Sequence, residues 1–449
     1  MKIALIAMSG VRAFSEELTR LGMTLPGFVE RKKVIASLPS LSLLTLAGLT
    51  PDRFEISYHE IADLRAMGKL PECDLAAISS YTAQIRDAYA VAGRYRAAGT
   101  MTVMGGLHVT ARPDEALEHC DAVVVGEGEL SWGRVLADAE AGRLQRVYAA
   151  PGQQFDLAQA PVPRYDLLDP SKYNRLTVQT QRGCPWHCEF CASSILLSPR
   201  YKLKPIANVV NEIRAIKAVW PHPFVEFADD NTFVNKPHAK SLMEAVGPEN
   251  IRWFAETDVS VADDDDLLSL MRDAGCAQVL IGLESPGAAG LDGLELRRNW
   301  KLSRVDRYMQ AIERIQSHGI AVIGCFVLGL DGDTTAVFDD IERFAKESGM
   351  FQVQITVLTP FPGTALYDRL LREGRLLHPT GWERCTLFDV NFVPKHMTVA
   401  QLERGLIDLG TKLYAEDASR ERRRAFRRQA ARASRVPTPT GAGIDDTGD

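Results

Sequence analysis

Gln181-Arg182-Gly183-Cys184-Pro185-Trp186-His187-Cys188-Glu189-Phe190-Cys191 decides how the rest of the chain is read. It places three cysteines in eleven residues, spaced C-x3-C-x2-C. Gly183 and Pro185 flank the first cysteine and exclude a regular helix there. Such a loop turns three sulfurs toward one region. Thiolates are soft ligands that suit zinc or iron–sulfur clusters. Structural zinc takes four protein ligands, commonly as two paired sets. Neither a second Cys pair nor an H-x3-5-H follows the loop. A [4Fe–4S] cluster normally takes four thiolates, so three leave one iron open to a small molecule. Three core cysteines or a zinc knuckle are the bland accounts, and the surrounding pattern argues against them.

Outward from the loop, the chain from about 176 repeats a strand–helix unit. Strands are expected at 176–181, 224–228, 251–257, 277–283, 321–328 and 351–358. Helical spacing covers 206–219, 236–245, 264–274, 302–318 and 335–348, with Gly275 and Gly319 where C-caps belong. Apolar runs such as Val279-Leu280-Ile281 fit parallel strands buried on both faces. Six such units predict a partial TIM-like (β/α)6 barrel over 176–375, with its chemistry at the carboxyl ends of the strands.

Ahead of the barrel, residues 1–150 alternate β runs (2–7, 54–59, 75–80, 101–106, 122–126) with helical stretches (43–49, 84–97, 129–141). This predicts an α/β, doubly wound, Rossmann-like domain whose ligands gather beyond the strand ends. Ser79-Ser80, Gly105-Gly106 and Gly126-Glu127 sit at those ends, where glycine admits close backbone approach and hydroxyls can bond a ligand. Pro151, Pro161, Pro163 and Pro170 mark 151–175 as a linker. Beyond 375 a small, mainly helical extension is expected over 376–435. Its basic helix (420–435) carries Arg422, Arg423, Arg424, Arg427 and Arg428 and reads as a solvated face. The tail 436–449 is rich in Pro, Thr, Gly and Asp and reads as disordered.

Composition narrows the class. With 449 residues the chain has room for two or three domains. A net charge of −6 gives no sign of nucleic-acid binding. Residues 1–7 are too short an apolar run for a signal peptide and read as a first strand, and no stretch of about 18 apolar residues predicts a membrane span. Eight cysteines, the five outside the loop scattered and mostly in apolar runs, fit reduced thiols in the cytoplasm.

The loop resembles the cluster motif C-x3-C-Φ-x-C of the radical S-adenosylmethionine (SAM) enzymes, with Phe190 as the aromatic Φ. The N-terminal pattern, with Ser40-Leu41-Ser42-Leu43-Leu44, resembles the cobalamin (B12)-binding domain that precedes the barrel in one subfamily. The motif D-x-H-x-x-G, which gives cobalt a histidine in the methionine-synthase type, is absent; His59 and His108 do not match it. The resemblance implies a [4Fe–4S] cluster on Cys184, Cys188 and Cys191, its open iron chelating SAM, an electron then splitting a sulfonium S–C bond. It implies SAM contacts from Asp229 or Asp230 after strand two. Glu284 after strand four is either a SAM or ribose contact or a structural ion pair. Gly329 after strand five would lie against adenine. Cobalamin would meet Ser79, Ser80, Gly105, Gly106, Gly126 and Glu127. His187 would shield the cluster or bond to the loop that carries it, and is not expected as a ligand. Arg200, Lys202 and Lys204 either balance the cluster's charge or face water. Asp263-Asp264-Asp265-Asp266 opens a helix and reads as dipole complementation, not a metal site. The implied function is cobalamin-dependent methyl transfer to a small biosynthetic substrate, with an external reductant of flavodoxin or ferredoxin type. Transfer of the 3-amino-3-carboxypropyl group of SAM, or a non-catalytic iron–sulfur or cobalamin carrier, are the rival readings.

Overall fold

The computed structural model describes residues 1–11, 13–20, 38–66, 68–193 and 200–433. The expected tail 436–449 and the end of the basic helix beyond 433 lie outside the described residues. Two parallel sheets organise the chain. The first contains β1 (Lys2–Met8), β2 (Glu55–Ile61), β3 (Leu75–Ser79), β4 (Met101–Gly105), β5 (Ala122–Val125) and β6 (Val147–Ala149), in the order β2-β1-β3-β4-β5-β6. Helices Leu41–Leu49, Ile85–Ala97 and Trp132–Glu140 cover its faces. Covered on both faces, β1 and β3 carry apolar side chains at almost every position, and these are buried. The strand order reverses between β1 and β3, which opens a crevice beyond their carboxyl ends. Only β6 was not expected: three residues followed closely by Pro151 are too few to show a strand period.

The second sheet is the partial barrel. It contains β7 (Leu176–Val178), β10 (Phe224–Phe227), β11 (Arg252–Thr257), β12 (Cys276–Glu284), β13 (Ala321–Leu328) and β14 (Gln352–Val357), in the order β14-β13-β12-β11-β10-β7. All five ladders are parallel, and β7 and β14 are the two edges. The expected first strand (176–181) is in fact broken. β7 stops at Val178, and β8 (Gln181–Arg182) pairs antiparallel with β9 (Lys202–Leu203) instead. The cause is Asp229, whose carboxylate takes the Thr180 and Gln181 amides at 2.7 and 3.0 Å and draws them out of the ladder.

Side-chain alternation fixes what the barrel encloses. Val225, Phe227, Trp253, Ala255, Val279 and Ile355 face outward into the core under the helices. The opposite parity turns Glu226, Glu256, Cys325, Gln354 and Thr356 inward, so the lumen is polar rather than filled by aliphatic layers.

The C-terminal extension is mainly helical, as expected. Helices Val399–Tyr414 and Glu416–Ala433 follow a strap, 376–393, made of turns and bends around a short 3-10 helix at Trp382–Arg384. Leu376 bridges Phe392, and the Val357 amide donates to the Leu387 carbonyl at 2.7 Å, which covers the exposed edge of β14. The strap then crosses to the first domain. Trp382 and Cys385, joined by Tyr367 from helix Ala365–Arg372, enter its apolar core, Trp382 Nε1 donates to Glu115 at 3.0 Å, and the Asp389 carboxylate takes the Phe14 and Ser15 amides at 2.7 and 2.9 Å. In the last helix Arg422 is buried and donates to the Leu413 carbonyl at 2.7 Å, while Arg423, Arg424, Arg427 and Arg428 are exposed. Trp382→Ala removes a buried indole shared by both domains and is expected to lower the unfolding free energy by about 3–5 kcal/mol in urea titration. A loss below about 1 kcal/mol would show that the strap contributes little to docking.

Candidate active site

The cysteine loop leaves the carboxyl end of β7 with little regular backbone pairing of its own and is held by the ends of the neighbouring strands. Asp229, buried after β10, accepts from the Thr180 amide, the Thr180 hydroxyl (2.6 Å) and the Gln181 amide. Burial pushes its carboxyl up to about 6 against the pull of those donors. Asp230 takes the Gly183 amide at 3.0 Å and the Ser193 hydroxyl. Gly183 has φ +80°, a conformation that favours glycine one residue before the first cysteine. Asn231 Nδ2 approaches Cys184 Sγ at 3.8 Å and donates to Asp258, which also accepts from Trp186 Nε1 at 3.0 Å. Trp186 stacks on Trp300, ring centres 4.4 Å apart. Farther along, Cys188 bridges Glu295, Glu189 forms a two-point ion pair with Arg369 at 2.6 and 3.0 Å, and the Cys191 amide donates to the Cys188 carbonyl at 3.1 Å. Phe190 packs against the barrel core, and the His187 ring lies 3.3 Å from the Pro185 carbonyl.

The three thiols sit within one electrostatic neighbourhood. Burial pushes Cys184 up to about 11, with Cys191 adding to it. Burial likewise pushes Cys188 up to about 12; Lys301 opposes this, while Glu284, Cys191 and Cys184 reinforce it. Among the described residues no three His, Cys, Asp or Glu side chains close on a point that suits a single metal ion. In an iron–sulfur cluster each thiolate takes its own iron, so the sulfurs stand farther apart than around one zinc. A metal bound by such thiols displaces their protons.

Glu284 ends β12 at a bulge, with φ +63°. Its carboxylate meets Lys301 Nζ at 2.6 Å, and the same ammonium donates to the Gly282 carbonyl at 2.7 Å. A side chain at Gly282 would strike Glu284 Oε1 at 2.6 Å, so this glycine makes room for the pair. The ion-pair alternative for Glu284 is therefore what the geometry displays, and a backbone strained in this way is typical of functional sites. Gly329 has another use than the one expected. Its φ is +87°, and an added Cβ would lie 2.8 Å from Phe392 and 2.9 Å from Leu402, so its open side meets the C-terminal segment rather than a free cradle.

A cavity lies beyond the carboxyl ends of β3, β4 and β5 and reaches the barrel's mouth. Ser79, Gly105, Gly106, Gly126 and Glu127 line it from the first domain, and Arg182, Ser193 and Asp230 from the barrel. Ser80 does not line it; its hydroxyl donates to the Tyr81 carbonyl at 2.8 Å. Gly106 and Gly126 have φ of +105° and +81°. Glu127 borders the cavity, but its carboxylate is engaged: Arg182 Nη1 donates at 2.9 Å, the Phe155 amide at 2.8 Å, and Lys202 also pairs with it. Burial opposes the charged form, yet Lys202, the Phe155 amide and Arg182 outweigh it and hold the carboxyl below its usual range. Arg182 reaches Glu129 as well. Lys204 pairs with buried Glu212. Lys202 and Lys204 thus answer protein carboxylates, neither of the two uses expected of them. Asp264 caps helix Asp265–Asp273, accepting from the Leu267 amide at 3.0 Å.

Sequence reasoning missed Arg182, Glu129, Lys301 and Glu256. Glu256 carried a legible signal, an acid inside Trp253-Phe254-Ala255-Glu256-Thr257, where a strand covered on both faces should be apolar. The other three depend on partners from distant segments.

Comparison with known proteins agrees with this geometry. The radical SAM superfamily matches residues 178–345, the B12 binding domain residues 38–135, and the Domain of unknown function (DUF4070) residues 364–442. An uncharacterized methyltransferase of Synechocystis sp. is 29% identical over 369 residues, covering 80% of this chain and 67% of that protein. The bacteriochlorophyllide d C-12(1)-methyltransferase of Chlorobaculum tepidum is 27% identical over 392 residues, covering 85% and 84%. The fold is also that of the radical S-adenosylmethionine methyltransferase TsrM from Kitasatospora setae, solved with cobalamin and a [4Fe–4S] cluster bound: TM-score 0.64 at 16% identity over 96% of this chain and 99% of that one. A cysteine loop on a partial barrel, facing the switch-point crevice of a B12-binding-type domain, makes this chain a radical SAM enzyme of the subfamily that carries such a domain at its N-terminus.

Proposed function

We propose that the protein is a cobalamin-dependent radical SAM methyltransferase acting on a small molecule. The observation that carries this reading is the shared wall. Asp230 and Ser193, which end and anchor the cysteine loop, also line the cavity at the strand ends of the first domain. Two cofactor sites are thereby brought against one another. Cys184, Cys188 and Cys191 would hold the cluster; the donors are soft, with Cys188 buried and Cys184 and Cys191 half-buried. The cavity suits a large macrocycle with amide arms: hydroxyls at Ser42 and Ser79, glycine turns, and apolar walls from Leu41, Leu46 and Val103. No histidine lines it among the described residues, and the His108 ring instead packs 5.2 Å from Trp382.

When bound, the cluster supplies the electron that splits a sulfonium S–C bond of SAM, and the corrinoid supplies the methyl group. The electron would come from an external flavodoxin- or ferredoxin-type protein, in a cytoplasmic setting. Among the described residues no helix is long and apolar enough to cross a membrane. The chain's own residues provide position and charge. Asp229 and Asp230 fix the entry and exit of the loop. Lys301, beside Glu284 and near Cys188, offsets the negative charge that three thiolates and a cluster bring. Phe190, in the loop, and Glu284, at the end of β12, stand at positions suited to SAM. The division of labour follows the domains proposed from sequence: 1–150 for the corrinoid, a linker to 175, 176–375 for SAM, and the remainder as a strap.

Two measurements test this. Anaerobic reconstitution should give close to four irons and one corrinoid per chain, and reduction with SAM should release 5′-deoxyadenosine and S-adenosylhomocysteine. Any one of Cys184→Ala, Cys188→Ala or Cys191→Ala should abolish both the cluster absorbance and SAM cleavage. Methylthioadenosine as the main product would favour 3-amino-3-carboxypropyl transfer, and no SAM consumption would favour a carrier. Asp229→Ala should cost about 3 kcal/mol of stability, since buried donors to a charged acceptor are left unmet, and should reduce iron retention. Iron content equal to wild type in that variant would remove Asp229 from the loop's support.

A further inference from the structure

The middle of the cysteine loop is paired with a surface turn. Residues 294–296 run antiparallel to 187–189: the Leu296 amide donates to the His187 carbonyl at 2.9 Å, the Glu189 amide donates to the Leu294 carbonyl at 3.0 Å, and Cys188 lies opposite Glu295. The buried Glu295 carboxylate accepts from the His187 amide at 3.2 Å and from the amides of Arg297 and Arg298 at 3.2 and 2.7 Å. Asn299 closes the turn; its side chain accepts from the Gly293 amide at 2.9 Å and donates to Asp292 at 2.7 Å. With these groups engaged inside, the turn offers solvent Leu296, which is 54% exposed, and the exposed side chains of Arg297 and Arg298. Neither of these arginines makes an ion pair among the described residues, whereas Arg304 and Arg307 are both closed by Asp263. The segment continues into Trp300, whose ring stacks on Trp186 of the cysteine loop at 4.4 Å between centres.

Resting on the reading above, in which the loop holds a cluster that an outside protein reduces, we infer that Leu296, Arg297 and Arg298 form the docking point of that reductant, a small one-electron carrier with an acidic surface around its redox group. From the surface at Leu296 one hydrogen bond leads to the His187 carbonyl, whose carbon is bonded to the nitrogen of Cys188. The Trp300–Trp186 stack is a second entry from the same segment into the loop. The chain as a whole is acidic, with net charge −6, so an acidic partner is repelled except where cations stand uncommitted. Leu296 by itself would be an ordinary exposed leucine. Beside two unpaired arginines on the back of the cysteine loop it becomes the apolar centre of a contact with a charged rim. Electron-transfer encounters are small, which suits such a point rather than a broad apolar face, and rim charges set how fast and how salt-dependently the partner arrives. The step is one electron. The carrier's anionic flavin hydroquinone is oxidised to the neutral semiquinone, a [4Fe–4S] centre is reduced from the 2+ to the 1+ state, and no proton moves.

The test uses full-length, reconstituted protein with two acidic probes, a flavodoxin and a [2Fe–2S] ferredoxin, and a basic one, cytochrome c, titrated by calorimetry at rising salt. Wild type should bind at least one acidic probe, more weakly as salt rises, and should leave cytochrome c unbound. The double variant Arg297→Glu/Arg298→Glu should weaken that binding by about tenfold or more, and Arg297→Lys/Arg298→Lys should keep it within about threefold. Leu296→Ser should weaken it severalfold. In stopped-flow mixing with the reduced carrier, bleaching of the cluster absorbance should slow by about tenfold or more in the glutamate variant. Dithionite, too small to need docking, should reduce wild type and variant alike. Equal binding of the acidic probes by wild type and the glutamate variant, no binding of either to wild type, or equal binding of cytochrome c would overturn the assignment. So would a glutamate variant that loses iron or its reduction by dithionite, since the turn would then shape the cysteine loop instead of receiving a partner. The proposed function fails separately, if dithionite-reduced wild type leaves SAM uncut while the acidic probes still bind.

Discussion

A loop that presents three cysteines cannot also satisfy its own backbone, because the amides that would pair in a helix or sheet are turned elsewhere. The carboxylates of Asp229 and Asp230 resolve this conflict. Between them they take the amides of Thr180, Gln181 and Gly183 and the hydroxyls of Thr180 and Ser193, at both ends of the loop. Everything else in the site inherits its position from those bonds. They break the first barrel strand at Val178, send Arg182 toward the other domain, and leave the loop facing the strand ends. The resemblance suggested these acids as ligands to SAM; the structure shows their oxygens already occupied by protein donors.

The second constraint is the joint between the halves. Arg182 precedes the first cysteine by two residues and grips Glu127 and Glu129 in the turn that borders the cavity, with Lys202 joining from β9. A partly buried network of this kind adds little net stability, because desolvation offsets attraction. Its value is geometric: a shift of the turn is felt at the cysteine loop, and the reverse. The strap of 376–393 acts from the opposite side. It sheathes the edge of β14 and plants Trp382 in the core of the first domain, so the two sheets are tied together on that side.

The sequence alone determined the alternation of strands and helices, the two parallel sheets and the cysteine spacing. These are local: a buried parallel strand needs an apolar run, a helix needs its own period, and three sulfurs within eight residues need only a loop. The polar and glycine turns at the ends of β3, β4 and β5 were legible for the same reason, and four of the five glycines and hydroxyls expected there line the cavity. Only the tertiary structure decided what each charged side chain answers. Glu127 became a partner of Arg182 and Lys202, Gly329 made room for Phe392 and Leu402, and Lys301 came to Glu284 across 17 residues. Charge pairing acts between neighbours in space, and that adjacency is created by the crossovers of the two sheets, which no local pattern records.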